Sequence, residues 1–249
     1  MKALILTAGF ARRLRPLTDH TPKCLLSVGG MPILRRALRN LIGLGFDDFT
    51  VVTGFMAPRV RAAIASWYPD LRVTYIDNPD YATTNNAYSL ELAGVALAGQ
   101  EFVLLDGDII YDAGVLQKLI EHGPDCLALR SQGDIGLEEV KVSVQGHRIS
   151  AIGKEVPVPE AVGESVGIEF FSAASSTALF QALRDRVHGQ GLVDEYYEAS
   201  FQQMFDQGVS MRAVDIAPHY AIEIDTREDL AAANRILLTR RSLTDSAAG

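Results

Sequence analysis

A run of cations near the amino terminus is the first feature of this sequence that could do chemistry. Residues 7–23 read TAGFARRLRPLTDHTPK, and residues 1–27 contain five basic side chains and one acidic side chain. The whole chain, by contrast, has a formal net charge of −8. Gly9 permits close backbone approach, successive N–H groups can hold an anion, and Arg and Lys neutralise phosphate oxygens. The stretch predicts an anion-binding loop, and a solvated basic loop is the alternative.

Carboxylates at two distant places could hold a divalent cation. Asp106 and Asp108 end the segment LLDGD, and Asp225 ends the segment EID at 223–225. Carboxylate oxygens that follow a buried strand are ligands that Mg²⁺ accepts. The carboxylates of Asp106 and Asp108 could hold such a cation, and Asp225 could be a second ligand. The alternatives are a simple Asp-Gly turn and a carboxylate that stabilises the start of the last helix.

The segment ATTNNAYSL at 82–90 places small hydrogen-bonding side chains beside an aromatic ring. A loop that ends in an Asn or Ser helix cap explains it without any ligand. A binding role is the second interpretation, in which these side chains form hydrogen bonds with a ligand.

These residues require a scaffold, and the first half of the chain alternates apolar strand patterns with helical ones. The predicted strands lie at 2–7, 48–54, 71–77 and 101–108. The predicted helices that follow them lie at 32–44, 58–67, 89–97 and 114–122. This order predicts an α/β fold with a mostly parallel sheet and helices on both faces. Ligands of such sheets bind at the carboxyl ends of the strands. Residues 7–23, 82–90 and 106–108 lie there.

The pattern changes after residue 126. Residues 139–154 predict a β-hairpin around Gly146. The remaining predicted elements are a strand at 164–172, helices at 174–186 and 195–207, a strand at 211–215 and a helix at 226–241 capped by Thr226. We expect a single domain, 1–249, in which the parallel sheet carries an inserted antiparallel β portion.

Composition excludes several classes of protein. The acidic balance and the lack of a basic stripe argue against nucleic-acid binding. No apolar run is long enough to span a bilayer, and the opening residues do not form a signal peptide. Cys24 and Cys126 suggest no disulfide framework, which fits a reducing, cytoplasmic location.

The opening LILTAGFARRLRPLTDHTPKCLLSVGG resembles that of the nucleotidyltransferases that activate sugar phosphates and related phosphate esters. Their pattern is L-x-A-G-x-G-x-R-L-x-P-L-T followed by P-K-x-L, and Ala11 replaces the second glycine. Alanine resists a positive φ, so we expect a slightly reshaped loop. The resemblance covers essentially the whole chain and implies a Rossmann-like, GT-A-type sheet. It also implies a nucleotide-binding half at 1–125, an acceptor-binding half at 126–220 and a returning segment with the final helix at 221–243.

The resemblance assigns roles to individual residues. It implies that Arg13 and Lys23 are catalytic and that Asp108 and Asp225 hold Mg²⁺. The implied nucleotide-binding residues are Leu6, Ala8, Gly9, Phe10, Ala11, Arg12, Thr84, Asn85, Asn86 and Asp106. The implied acceptor-binding residues are Tyr88, Lys154, Glu169, Tyr196 and Tyr197, with Lys154 on the acceptor's phosphate.

The form N-N-x-Y-S-L looks like that of cytidylyltransferases acting on phosphocholine or on phosphonates such as 2-aminoethylphosphonate. We therefore expect an enzyme that transfers CMP from CTP to a small phosphate or phosphonate and releases pyrophosphate, with phosphocholine as the first acceptor. A sugar-1-phosphate nucleotidyltransferase using UTP, dTTP or GTP is the first alternative, and a non-catalytic nucleotide-sensing domain is the second. Apolar faces on the helices at 174–207 could form a homodimer.

Overall fold

Thirteen strands of the described chain form one large sheet and two small ribbons, in a computed structural model that describes residues 1–133 and 135–247. The strands are β1 Lys2–Thr7, β2 Ser27–Val28, β3 Met31–Pro32, β4 Asp48–Thr53, β5 Val73–Asp77, β6 Phe102–Asp106, β7 Ile109–Tyr111, β8 Cys126–Arg130, β9 Lys141–Gln145, β10 Arg148–Gly153, β11 Gly163–Phe171, β12 Arg212–Asp215 and β13 Ala221–Glu223. Strands β6, β1, β4 and β5 are adjacent and parallel, which confirms the predicted parallel sheet.

Eight α-helices connect or flank these strands in the same described part of the chain. They are α1 Ile33–Gly43, α2 Ala57–Trp67, α3 Asn86–Leu92, α4 Gly94–Leu97, α5 Ala113–His122, α6 Ala173–Arg184, α7 Glu198–Asp206 and α8 Arg227–Ala247. A π-helical turn at Asp185–Gly189 extends α6. None of the helices in the described ranges is long and apolar enough to cross a membrane.

Helices cover both faces of the sheet because the central strand is apolar on both sides. In β1, Ala3 and Ile5 pack into one core with residues of α1, α2 and α5. Leu4 and Leu6 pack into a second core with residues of α3, α6 and α7. Successive side chains of a strand point to opposite faces, so a continuous apolar run requires cover on both.

The antiparallel portion joins the parallel sheet through β11. This strand runs antiparallel to β6, to β8 and to β9, and β9 pairs with β10 as the predicted hairpin. Strand β12 adds to β8 in parallel. The predicted fold class is confirmed, while the division into halves at 1–125, 126–220 and 221–243 stays a prediction. Asp134, Ala248 and Gly249 belong to the predicted domain but lie outside the described residues.

Three elements differ from their predicted forms. The helix expected at 89–97 is divided into α3 and α4, and Gly94 begins the second. A Cβ at Gly94 would lie 3.0 Å from the Phe180 ring, so this glycine permits α6 to approach closely. The helix expected at 195–207 begins only at Glu198. The ribbon of β7 and β13 was not predicted, because strands of three residues are too short to show a period.

Candidate active site

The ribbon of β7 and β13 brings the two predicted metal ligands together. Glu223 pairs with Ile109 in antiparallel register, and the N–H of Ile224 donates to the carbonyl of Asp108 at 3.1 Å. Asp108 immediately precedes β7, and Asp225 lies two residues after β13 ends. The pairing therefore places carboxylates from distant parts of the sequence on one side of a short ribbon.

Lys23 lies between these two aspartates. Its Nζ is 2.6 Å from Asp108 Oδ2 and 2.6 Å from Asp225 Oδ1, and Arg13 donates to Asp225 Oδ2. Burial disfavours the lysine's charge, but the two carboxylates outweigh burial and hold the pKa of Lys23 above its ordinary value. Burial also opposes ionisation of Asp225, yet Lys23 and Arg13 lower its pKa. Lys23 is thus a charged group that joins the amino-terminal loop to both aspartates.

Glu223 is a third carboxylate of this group, and the sequence prediction omitted it. One carboxylate oxygen from each of Asp108, Glu223 and Asp225 lies within 4.8 Å of the others. Burial, with Asp108 and Asp225 next, raises the pKa of Glu223 to about 8. The signal was present in Glu223-Ile224-Asp225, because alternate residues of an extended segment point to the same side.

The amino-terminal loop and these carboxylates line one cavity of about 310 Å³. Its lining residues are Leu6, Thr7, Gly9, Phe10, Ala11, Arg12, Arg13, Lys23, Cys24, Gly107, Asp108 and Asp225. The structure therefore brings together both predicted catalytic residues, both predicted metal ligands and five of the predicted nucleotide-binding residues.

Local bonds fix the shape of the loop. The hydroxyl of Thr18 donates to the carbonyl of Ala11 at 2.7 Å, and the Leu14 side chain is fully buried. Ala11 has a φ of −74°, so alanine replaces the family's glycine without an unfavourable φ. A Cβ at Gly107 would lie 2.4 Å from the carbonyl oxygen of Leu6, so only glycine lets Asp108 follow β6 this closely.

The remaining predicted nucleotide-binding residues do not line this cavity. Ala8 is buried. Asn85 accepts from the N–H of Asn86 and caps α3, while Asn86 Oδ1 accepts from the N–H of Tyr197 at 2.9 Å. Thr84 bonds to the carbonyl of Asp80 and accepts from Asn78. The cap formed by Asn85 agrees with the interpretation of ATTNNAYSL that needs no ligand. Contact of Thr84, Asn85 and Asn86 with a nucleotide stays a prediction.

Asp106 lies beside two of the five predicted acceptor-binding residues, Glu169 and Tyr197, and two others, Lys154 and Tyr196, contact each other. Tyr197 donates from its hydroxyl to Asp106 Oδ2 at 2.8 Å. Burial, with Asp106 and Glu169 next, raises the pKa of Tyr197 well above its ordinary value. Tyr196 is half exposed, and Lys154 Nζ lies 4.9 Å from its ring centroid. The fifth, Tyr88, donates from its hydroxyl to Asp80 Oδ2 at 3.4 Å.

The chain matches the family of MobA-like NTP transferase domains over residues 3–200. It belongs to that family. The likeness extends to the fold, since the inositol-1-phosphate CTP transferase from T. maritima superposes with a TM-score of 0.80 at 20% identity, covering 95% of this chain and 94% of that one.

Two curated relatives of this MobA-like domain act on phosphonates, as their names state. The CMP-5'-(3-aminopropyl)phosphonate synthase of Streptomyces rubellomurinus is 36% identical over 119 residues, which are 48% of this chain and 19% of that protein. The 2-aminoethylphosphonate cytidylyltransferase of Lancefieldella rimae is 27% identical over 240 residues, 92% of this chain and 90% of that protein. The first four curated relatives are covered over only 19% to 51% of their length. Enzymes of sugar phosphates are also among the relatives and structural neighbours.

Proposed function

We propose that this chain is a cytidylyltransferase that transfers CMP from CTP to a small phosphate or phosphonate and releases pyrophosphate. The observation that carries the proposal is the position of Lys23, which joins the basic loop to Asp108 and Asp225 inside one cavity. The full-length similarity to a 2-aminoethylphosphonate cytidylyltransferase supports the choice of CTP and of a small acceptor.

In the proposed reaction an oxygen of the acceptor's phosphoryl group attacks the α-phosphorus of CTP. A new P–O bond forms, the bond between the α-phosphorus and the bridging oxygen breaks, and the electron pair leaves with pyrophosphate. The acceptor is already an anion at neutral pH, so no general base is needed. Catalysis then depends on position and on neutralised charge.

Arg13 and Lys23 supply that charge. Arg13 is two-thirds exposed, so its guanidinium can turn from Asp225 toward the leaving pyrophosphate. Lys23 Nζ is nearly buried between two carboxylates, and we assign it to the α-phosphate or the acceptor's phosphate, where two anions approach. The N–H groups near Gly9 would hold the triphosphate.

The carboxylates fit a magnesium ion. Asp108 Oδ1 is buried and has no hydrogen-bond partner, and Asp108, Glu223 and Asp225 offer the oxygen ligands that Mg²⁺ prefers. A Mg²⁺ held by these carboxylates would supply positive charge that stabilises the phosphates and the pyrophosphate leaving group. We assign Asp108 and Asp225 to the metal, with Glu223 as an additional ligand. The cytoplasmic location and the homodimer stay predictions.

A pyrophosphate-release assay tests this function. CTP, UTP, dTTP and GTP are each supplied with Mg²⁺ and one of phosphocholine, 2-aminoethylphosphonate and glucose 1-phosphate. We expect release with CTP and a small acceptor, and Asp108→Ala should abolish it while circular dichroism stays native. Asp47→Ala, which changes an exposed aspartate bonded to the amino terminus, is the matched control.

Two results would overturn the proposal. Release only with glucose 1-phosphate and UTP, dTTP or GTP would assign the chain to sugar-phosphate activation. Nucleotide binding without release from any mixture would indicate a sensing domain.

A further inference from the structure

Three carboxylates beside Tyr197 form a cluster that the proposed phosphoryl transfer does not use. Asp106 ends β6, Glu169 lies in β11 and Glu198 begins α7; we call these residues the carboxylate cluster. Glu169 is fully buried and Glu198 is 8% exposed. Acidic side chains are seldom buried without a partner, because removing their charge from water is unfavourable.

The cluster has little compensating charge: Lys154 is near enough to favour the charged form of Glu198 but forms no ion pair with it. Glu169 Oε2 and Glu198 Oε2 are both buried and have no hydrogen-bond partner. Glu169 Oε1 accepts only from the Ser165 hydroxyl, at 3.3 Å, and no member forms an ion pair with any residue in the described ranges. The cluster therefore presents two unused acceptor oxygens from two different elements, which a cation bearing N–H groups would satisfy.

A bare metal ion fits this place poorly. Among the described residues, the carboxylate group whose oxygens converge within metal-binding distance is Asp108, Glu223 and Asp225, and it does not include the carboxylate cluster. A larger organic cation can reach oxygens that stand farther apart. A primary ammonium carries three N–H donors and suits two or three such acceptors.

The neighbouring tyrosines favour a primary ammonium over a quaternary one. A quaternary ammonium donates no hydrogen bond and needs aromatic faces around it. Tyr197 is fully buried with its ring centroid 5.0 Å from that of Phe201, so its face is already covered. Tyr196 exposes a face, and the primary ammonium of Lys154 already lies over it. The face of Tyr196 is therefore already in contact with an ammonium group of the protein, that of Lys154.

The carboxylate cluster lies close to the site of phosphoryl transfer. Asp106 and Asp108 are separated by one residue, which limits the distance between their Cα atoms to about 7 Å. Gly167 lets the Asp106 carboxylate pack directly against β11, since a Cβ there would stand 2.7 Å from Asp106 Oδ2. A short aminoalkyl chain can therefore place its ammonium at the cluster and its phosphoryl group at Lys23.

We propose that the carboxylate cluster binds the primary ammonium of an aminoalkyl phosphonate or phosphate acceptor, with Glu198 and Glu169 as the accepting residues. This inference rests on the proposed function and narrows its acceptor, replacing phosphocholine as the first expectation. The names of two relatives, which specify aminoalkyl phosphonates, agree with it.

Matched acceptors test the inference. Pyrophosphate release is measured with CTP, Mg²⁺ and either 2-aminoethylphosphonate, ethylphosphonate, which lacks the amine, or phosphocholine, which lacks the N–H groups. We expect kcat/KM for 2-aminoethylphosphonate to exceed the other two by about tenfold to a hundredfold. Glu198→Gln should reduce that preference about tenfold or more through the acceptor's KM and leave the KM for CTP unchanged. Glu164→Gln, on the same strand as Glu169 but paired with Arg130, is the control.

The outcomes separate this inference from the function beneath it. Equal use of ethylphosphonate, or an equal loss for all three acceptors in Glu198→Gln, overturns the ammonium site and leaves the cytidylyltransferase intact. If no acceptor gives pyrophosphate, calorimetry of 2-aminoethylphosphonate with CTP present decides. Binding that Glu198→Gln abolishes supports the site even though the proposed reaction fails, and absence of binding overturns both.

Discussion

Asp106 and Asp108 are two residues apart on one strand end, and their electrostatic surroundings are opposite. Asp108 faces Lys23 at 2.6 Å, within a group where Arg13 also bonds Asp225. Asp106 faces Tyr197, Glu169 and Glu198, and burial, with Asp108 and the two glutamates next, raises its pKa well above the ordinary range. Gly107 separates the two environments.

The difference indicates what each region lacks. The region of Lys23 balances its own charges, so anionic phosphates and a metal must rearrange existing ion pairs when they bind. Burial raises the pKa of every member of the carboxylate cluster, so each charge there destabilises the folded protein unless a proton or a cationic ligand compensates it. Binding of the acceptor can therefore be favoured in two ways. Its cation would compensate the buried carboxylates of the cluster, and its phosphoryl group would exchange ion pairs with Lys23.

Removal of Lys23 should give the largest effect. We expect Lys23→Ala to lower kcat/KM by about a thousandfold, which is about 4 kcal/mol of barrier, because two anions must then approach without this charge. It also leaves Asp108 and Asp225 without their shared cation. Mg²⁺ should therefore raise the melting temperature of Lys23→Ala more than that of the wild type, as measured by differential scanning fluorimetry.

Lys2→Ala is the matched control for that variant, since Lys2 pairs with Asp48 at the opposite end of β1. It should leave turnover and the response to Mg²⁺ unchanged. Full activity of Lys23→Ala would remove the central residue of the proposed mechanism.

Neutralising Glu198 should give a smaller effect that depends on pH. Burial raises the pKa of Glu198 from 4.5 to about 7. An acid with a raised folded-state pKa costs no stability below pH 4.5 and its full cost above pH 7, so wild-type stability falls across that window. We expect Glu198→Gln to gain stability over the wild type between pH 5 and pH 8, by about 3 kcal/mol at most. Urea unfolding at both pH values measures the gain, and a gain independent of pH would contradict the assignment.

The parallel sheet and the basic loop could be predicted because their signals are local. A strand such as β1 is a continuous apolar run. The loop after it contains a long motif whose residues interact within the loop, since Leu14 is buried and the Thr18 hydroxyl bonds to Ala11. The rule that ligands bind at strand ends applied to Asp106 and Asp108, whereas the pairing of Asp225 with Asp108 came from the family resemblance.

The ribbon and the carboxylate cluster could not be predicted in the same way. Strands β7 and β13 pair across more than 100 residues of sequence, and neither has enough residues to show a period. Glu198 belongs to a helix that begins three residues later than its sequence pattern predicts. The residues before it bond to the start of α3 instead, since the carbonyl of Val193 accepts from the N–H of Asn85 and the carbonyl of Glu195 accepts from the N–H of Ala87. Such contacts between distant segments leave no local signal.

Asn86 should give the smallest effect and decides between the two interpretations of ATTNNAYSL. Its Oδ1 accepts from the N–H of Tyr197, whose side chain is fully buried, so Asn86→Ala leaves a donor unsatisfied and should cost about 1–3 kcal/mol of stability. If Asn86 positions the segment that leads to Glu198, the acceptor's KM rises several-fold while the KM for CTP stays constant. If it binds the nucleotide, the KM for CTP rises instead. Asn85→Ala, which removes a helix cap and leaves the bond to Tyr197 in place, should lower stability by about 1 kcal/mol without changing the acceptor's KM.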